Sequence, residues 1–268
     1  MTRLKLVLAY DGRPYAGWQV QPGKDTVQSV VEEALTRILK GRQVRIHGSG
    51  RTDTGVHALG QVAHFDVPDG IHMPAAIWRR SLNAYLPLGI RVMDCAVAAP
   101  GFHSRIDAVG KTYRYRLFMG EVLPPLEAGI ATHHPKPLDD QKLAEACAAL
   151  EGTHNFAGFA AFRGNEDGTE DTVRTLRSVR PVWEGDFLTI TWHGTGFLYK
   201  MVRLLTAAVL RVGAGREPLS WLTDLLHRQV PGKCQHVAPA DGLYLVGVDY
   251  PESTIAPHDT DDSRPASR

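Results

Sequence analysis

Hydrophobic positions recur with two different periods along this chain, and the switches between them mark out its elements. Residues 4–10 (LKLVLAY) alternate apolar and polar as a half-buried strand does. A loop rich in Gly and Pro follows over 11–25. Then Val27, Val30, Val31, Ala34, Leu35, Ile38 and Leu39 fall on one face at helical spacing. Asp25 and Gln28 have the spacing of a capping box, and Gly41 supplies a C-terminal stop. Alternation returns over 44–47 and 61–67, predicting two strands on either side of a glycine-rich loop. Pro74 suits the first turn of a second helix that sends Ile77 and Leu82 into a core and stops before Pro87. Residues 91–98 then read as a strand. The order strand–helix–strand–strand–helix–strand is that of a ferredoxin-like unit.

The second half is a variation on the same plan. Residues 112–119 alternate aromatic and basic side chains as a strand. Residues 139–150 form a helix with Leu143, Cys147 and Leu150 on one face. Strands at 175–183 and 188–192 flank a turn at Glu184-Gly185-Asp186. A long apolar helix over 197–212, a shorter one over 218–228 and a strand over 242–250 complete the set. The halves share element order but no residue-level repeat. Beyond Pro251 the composition of Asp, Ser, Pro and Arg predicts a disordered tail.

Composition narrows the class. With 268 residues, 43% hydrophobic and 22% charged, the chain has room for one large domain or two small ones sharing a core. No apolar run approaches the ~20 residues of a membrane span, and the basic, then apolar start is followed by no small-residue cleavage site. Cys95, Cys147 and Cys234 show no CxxC spacing, which argues against a disulfide framework or structural zinc and fits a reducing cytoplasm. The twelve histidines include no HExxH pair, so no metal is expected. A net charge of +1 neither demands nor excludes nucleic acid, because acid clusters at Glu166-Asp167, Glu170-Asp171, Asp259, Asp261 and Asp262, apart from the basic runs.

The candidate chemistry starts at Gly48-Ser49-Gly50-Arg51-Thr52-Asp53-Thr54-Gly55-Val56-His57-Ala58. An Asp on a glycine-freed loop between strands either caps a turn or is displayed for use. Arg203 lies within an apolar helix, where an unpaired guanidinium is costly unless it sits on a polar stripe with Tyr199 and Lys200 and meets water. Asp53 is a possible partner, and an Asp–Arg pair favours the ionised carboxylate that a nucleophile needs. In Lys111-Thr112-Tyr113-Arg114-Tyr115-Arg116, alternation puts Lys111, Tyr113 and Tyr115 on one face. Such a strand either stacks a base near held phosphates or simply packs its tyrosines in a core. The loops at 12–19 and 102–105 mix aromatics, Arg and Gly in the same ambiguous way. The chain has no GxxxxGK[ST], no strand-led GxGxxG and no GxSxG, and nothing marks a second carboxylate of a glycosidase pair.

The segment from Gly50 to Ala58, followed by Gly60-Gln61-Val62, resembles the catalytic motif of the tRNA pseudouridine synthase A family. Similar segments occur in family order at Tyr10-Asp11-Gly12 with Gly17-Trp18-Gln19, Thr26-Val27-Gln28, Leu82-Asn83-Ala84 with Leu86-Pro87, Phe102-His103-Ser104-Arg105, Lys111-Thr112-Tyr113-Arg114-Tyr115, Phe197 to Arg203 and Gly242-Leu243-Tyr244-Leu245. The resemblance implies an α+β fold: two ferredoxin-like, RRM-like halves forming a continuous, mostly antiparallel sheet with helices on one side and a central catalytic cleft. The halves would span 1–105 and 106–250, with a tail over 251–268. It implies isomerisation of uridine to pseudouridine at positions 38, 39 and 40 of the tRNA anticodon stem-loop, by a cytoplasmic homodimer without cofactor. Asp53 is then the nucleophile, attacking the uracil ring or C1′, and Arg203 its partner. Tyr113 stacks on the base and assists removal of the C5 proton, and Leu243 is a wall of the pocket. Arg51 fills the space left by the flipped base, and Phe102, His103, Ser104, Arg105 and Ile106 contact RNA. Flipping is required because the reacting atoms are inaccessible within a stacked stem. The chain departs from the family pattern at Thr54, at Gly48-Ser49 and over 164–174, where only Thr172-Val173-Arg174 match and four acids are unusual for an RNA contact. A non-catalytic RNA-binding chaperone and a nucleoside hydrolase are the rival readings. An intact Asp53, Tyr113 and Arg203 disfavour the first, and the missing second carboxylate disfavours the second.

Overall fold

A computed structural model describes residues 2–161, 171–227 and 234–252. Glu166, Asp167 and Glu170 of the acidic segment and almost all of the 251–268 tail lie outside these residues. The chain opens with β1 (Arg3–Tyr10), in which Leu4, Leu6, Leu8 and Tyr10 are buried on one face. Each such side chain contributes roughly 1.5–3 kcal/mol by leaving water.

The first helix, α1 (Val27–Ile38), is capped one residue later than the sequence suggests. Thr26 Oγ1 accepts from the Ser29 amide while Ser29 Oγ accepts from the Thr26 amide. Gln28 is unavailable for capping because it is buried, bridging the Val20 amide, Glu32 and the Ile46 carbonyl. The same side chains explain why the strand predicted over 44–47 shrinks to β2 (His47–Gly48). The Ile46 amide donates to Glu32 and its carbonyl accepts from Gln28, so α1 satisfies groups that a ladder would otherwise use.

β3 (His57–Asp66) starts four residues before its predicted beginning at 61. In α2 (Ala75–Tyr85) the core positions are Trp78 and Leu82, while Ile77 is exposed. Trp78 wins because its indole meets Phe65 edge-on at 5.4 Å. β4 (Ile90–Val97) completes the first half. The second half runs through β5 (Gly110–Phe118), the short β6 (Thr132–His133), α3 (Asp140–Ala148), β7 (Gly152–Asn155), β8 (Val173–Glu184) and β9 (Phe187–Gly194). It then continues through α4 (Met201–Gly213), α5 (Leu219–His227) and β10 (Leu243–Asp249). Residues 197–200 are not part of α4: Lys200 sits in the left-handed region at φ 58°, which interrupts a helix.

The strands form a single sheet in the order β4-β1-β3-β10-β5-β9-β8-β7, with β2 on β3 and β6 on β5. Leaving aside the short β6 and β7 and numbering the other strands within each half, β4-β1-β3-β2 and β10-β5-β9-β8 are both 4-1-3-2, the ferredoxin-like order. The halves meet where β10 lies parallel to β3, through Tyr244 opposite His57 and Leu245 opposite Ala58. β2 pairs farther along β3, at His64 and Ala63, so β3 gives one end to β2 and the other to β10. α1 packs with α2, and α3 with α4, on the core side of the sheet. A small second cluster of Val62, Ala98 and Phe102 covers part of the reverse face.

Candidate active site

The loop between β2 and β3 is held by backbone and side-chain hydrogen bonds along its length. Its last turn, Asp53-Thr54-Gly55-Val56, closes with the Val56 amide donating to the Asp53 carbonyl at 3.1 Å. Gly55 takes φ 80°, the position where a type II turn needs a glycine. The Trp18 amide donates to the Thr52 carbonyl, and the Tyr10 hydroxyl meets Thr52 Oγ1 at 2.9 Å. Ser49 donates its hydroxyl to Gln61, whose amide returns to the Gly50 carbonyl. The turn and the displayed carboxylate are therefore one device: the loop fixes Asp53 without using its side chain as a cap.

Asp53 Oδ2 accepts from Arg203 Nη1 at 3.2 Å, across the two halves. Arg203, from the first turn of α4, also donates through Nε to the Ala238 carbonyl at 2.7 Å, so the guanidinium is held from two sides. Both side chains are mostly buried, at 16% and 21% exposed. The polar-stripe reading of Arg203, which has it meeting water, therefore gives way to the ion pair.

Around this pair lies a cleft of about 430 Å³. Tyr113 enters it from β5, 8% exposed, with Phe197 edge-on at 5.1 Å. Burial, with the Tyr10 phenol and the Asp53 carboxylate nearby, raises the Tyr113 pKa well above its usual value, so the phenol keeps its proton. Leu243 forms a wall at the start of β10. The lining carries Arg45, Arg51, Arg105, Lys111, Lys200 and Arg203, against Asp53 as its single acid among the described residues. The cleft is thus strongly basic although the whole chain carries a net charge of only +1.

The 102–106 segment divides. His103 and Arg105 line the cleft, while Ile106 is 76% exposed outside the lining. Phe102 and Ser104 are 2% and 0% exposed and shape the loop from within. Ser104 donates its hydroxyl to the His47 carbonyl, and its amide donates to His64 Nδ1. Burial, with Arg3 and two further histidines nearby, pushes the His64 pKa down to about 4, which keeps that ring a neutral acceptor. Arg51 is exposed at the cleft mouth. Sequence reasoning missed the 234–240 segment, whose Ala238 holds Arg203, and it missed Lys111 as a member of the site. Alternation along β5 had already put Lys111 on the face of Tyr113.

A carboxylate paired with an arginine, the one acid among the described residues of a basic cleft between two ferredoxin-like halves, defines the class as an α+β protein with a cationic central cleft. The profile of the tRNA pseudouridine synthase family matches residues 6–104 and 146–251. A tRNA pseudouridine synthase A from Akkermansia muciniphila is 46% identical over 95% of this chain and 97% of its own length. Proteins of the same name from Lactobacillus delbrueckii and Latilactobacillus sakei are 42% and 41% identical, over 94% and 92% of this chain and 95% and 98% of theirs. The chain belongs to the tRNA pseudouridine synthase family.

Proposed function

We propose that this protein isomerises uridine to pseudouridine in tRNA, at positions 38, 39 and 40 of the anticodon stem-loop. The observation that carries the reading is Asp53, the one acid of a cationic cleft among the described residues, bonded to Arg203 at 3.2 Å. The cations match the phosphates of a stem, and the carboxylate is the group that can attack the uracil ring or C1′ of a flipped nucleotide. Tyr113, fixed by Phe197, supports the base by stacking. Its protonated phenol suits that role better than taking up the C5 proton. Leu243 closes the pocket, and Arg51 at the cleft mouth takes the place of the flipped base. RNA contact from the 102–106 segment falls to His103, Arg105 and Ile106, with Phe102 and Ser104 as supports. The enzyme works in the cytoplasm as a homodimer without cofactor, each chain divided near residue 105 into the half that carries Asp53 and the half that carries Arg203.

Tritium release from tRNA labelled at uridine C5 tests the reading. Release by the unaltered protein, lost in Asp53→Asn, is the expected result. Tight tRNA binding without release would mark an RNA chaperone, and free uracil as product would mark a hydrolase.

A further inference from the structure

Among the cations of the cleft, Lys111 stands apart. Arg203 is neutralised by Asp53, Lys200 lies over the Tyr199 ring at 5.2 Å, and Arg45, Arg51 and Arg105 are exposed to water. Lys111 instead reaches inward from β5, on the face that carries Tyr113, and its ammonium lies against the loop of the other half. Nζ donates to the Ser49 carbonyl at 2.9 Å. An ammonium has three protons to donate, and one carbonyl takes up only one of them.

Its surroundings hold cations rather than a counter-ion. Arg105 faces it from the loop after β4, and Arg174 from β8, where Asp171 pairs with Arg174 at 3.8 Å. No carboxylate among the described residues lies within 4 Å of Lys111 Nζ, as the ion pairs there leave it out. Asp249, with His193 and Arg177 beside it, belongs to the opposite face of the sheet, since Val248 is the residue of β10 that opposes Lys111. Burial beside Arg105 and Arg174 holds the Lys111 pKa down to about 8. A half-buried ammonium with no carboxylate partner among the described residues fits a ligand that brings the negative charge.

Gly50 makes room for this arrangement. A Cβ there would lie 2.6 Å from Lys111 Nζ and 3.7 Å from its Cε, with nothing else within 4 Å. Gly50 is not among the residues with positive φ, so its lack of a side chain serves space rather than backbone freedom. It directly precedes Arg51 and stands three residues before Asp53.

We propose that Lys111 is a phosphate-binding residue: its ammonium takes a backbone phosphate beside the target nucleotide and, through Ser49, ties that contact to the loop carrying Asp53. This rests on the RNA-modifying reading given above. The lysine then acts as a gauge of strand position, since the loop that receives the base also borders the ammonium that receives the phosphate.

The test measures binding of an unmodified tRNA transcript by the full-length protein across a salt series, with pseudouridine formation followed in the same preparations. Lys111→Met is expected to weaken binding roughly tenfold and to make the slope of log Kobs against log salt shallower by about 0.7–0.9. Lys111→Arg is expected to keep the slope. Gly50→Ala, which displaces the ammonium, is expected to weaken binding similarly and to add nothing to Lys111→Met. A methylphosphonate placed in turn at the linkages flanking the target uridine needs no variant to fold. One linkage is expected to cost the unaltered protein about as much as Lys111→Met does, and to cost that variant nothing further. An unchanged salt slope in Lys111→Met, or penalties at every linkage that persist in that variant, would overturn the proposal and leave Lys111 a brace for Ser49. If the unaltered protein forms pseudouridine while the slope stays unchanged, only the Lys111 proposal falls. If the slope changes as expected but no pseudouridine forms, the isomerase reading falls and the phosphate contact stands. If the unaltered protein does not bind tRNA, both fall.

Discussion

The two halves of the molecule share a strand order and differ most at one equivalent connection, the link between their second and third strands. In the second half it is a two-residue turn, Gly185-Asp186, joining β8 to β9 through a ladder that runs from Glu184 opposite Phe187 back past Val179 opposite Trp192. Gly185 at φ 59° leads the turn, as a tight hairpin requires. In the first half the corresponding strand, β2, keeps only His47 and Gly48, and the link becomes the loop that carries Asp53. The backbone released from pairing is refastened by side chains from Gln28, Glu32, Gln61 and Lys111. The same plan thus gives a tight hairpin where its ladder is complete and the loop that carries Asp53 where a strand is cut short.

Substitutions can break this contrast in graded steps. The largest effect belongs to Asp53→Asn. It is expected to reduce pseudouridine formation by at least ~10³-fold while tRNA affinity stays within about threefold, as read by tritium release beside a binding titration. Arg203→Met comes next, with turnover lower by about 10²–10³-fold because the carboxylate loses its fixed donor. The melting midpoint should report a loss of about 1–3 kcal/mol, since the Ala238 carbonyl loses its partner too. Lys in place of Arg203 should recover only part, having a single point charge where the fork bonds two groups.

A subtler effect is set by pH. Lys111, with its pKa near 8, is charged below that value and neutral above it, and phosphate binds the charged form. Arg105 and Arg174 face it, and no acid among the described residues does, so nothing nearby restores the charge. The Kd for tRNA should therefore rise as pH climbs past about 8 and level off about tenfold higher, at the loss expected for Lys111→Met. Lys111→Arg, charged throughout, should flatten that limb of the profile.

The smallest changes compare the two glycine turns directly. Gly55→Ala and Gly185→Ala each force a side chain into a left-handed backbone and should each cost about 1–2 kcal/mol in thermal unfolding. Activity should fall only in Gly55→Ala, where the added Cβ also meets the Ala240 Cβ at 3.3 Å. Equal loss of activity in both would remove the functional distinction between the hairpin and the Asp53 loop.

What could be read from the sequence follows the physics of each signal. β1, β5, β9 and the core faces of α1 and α3 were legible because long alternations and helical stripes leave little choice of phase. β6 and β7 were missed: strands of two and four residues are too short to show a period. The cap of α1 shifted by one residue because Asp25, Thr26, Gln28 and Ser29 all offer capping groups, and only the burial of Gln28 separates them. β3 ran longer than its pattern because its first residues pair with Tyr244 and Leu245, nearly two hundred positions away in sequence. At the site, the Asp53–Arg203 pair was legible from the difficulty of leaving an arginine unpaired in an apolar helix. The roles of Ala238 and Gly50 were not legible, because one is a backbone carbonyl and the other an empty volume.

The place of β10 in the sheet also has a consequence for synthesis. It is the last described strand in chain order, yet it lies between β3 and β5, the inner strands of the two halves. As the chain emerges from the ribosome, β3 and β5 can form with their own neighbours, but each keeps part of one edge bare until residues 243–249 arrive. Exposed edges of that kind invite pairing with other chains. Leu243 enters the cleft in the same step, as the two halves become one sheet. A chain halted before residue 243 would carry both an unfinished pocket and two partly open edges.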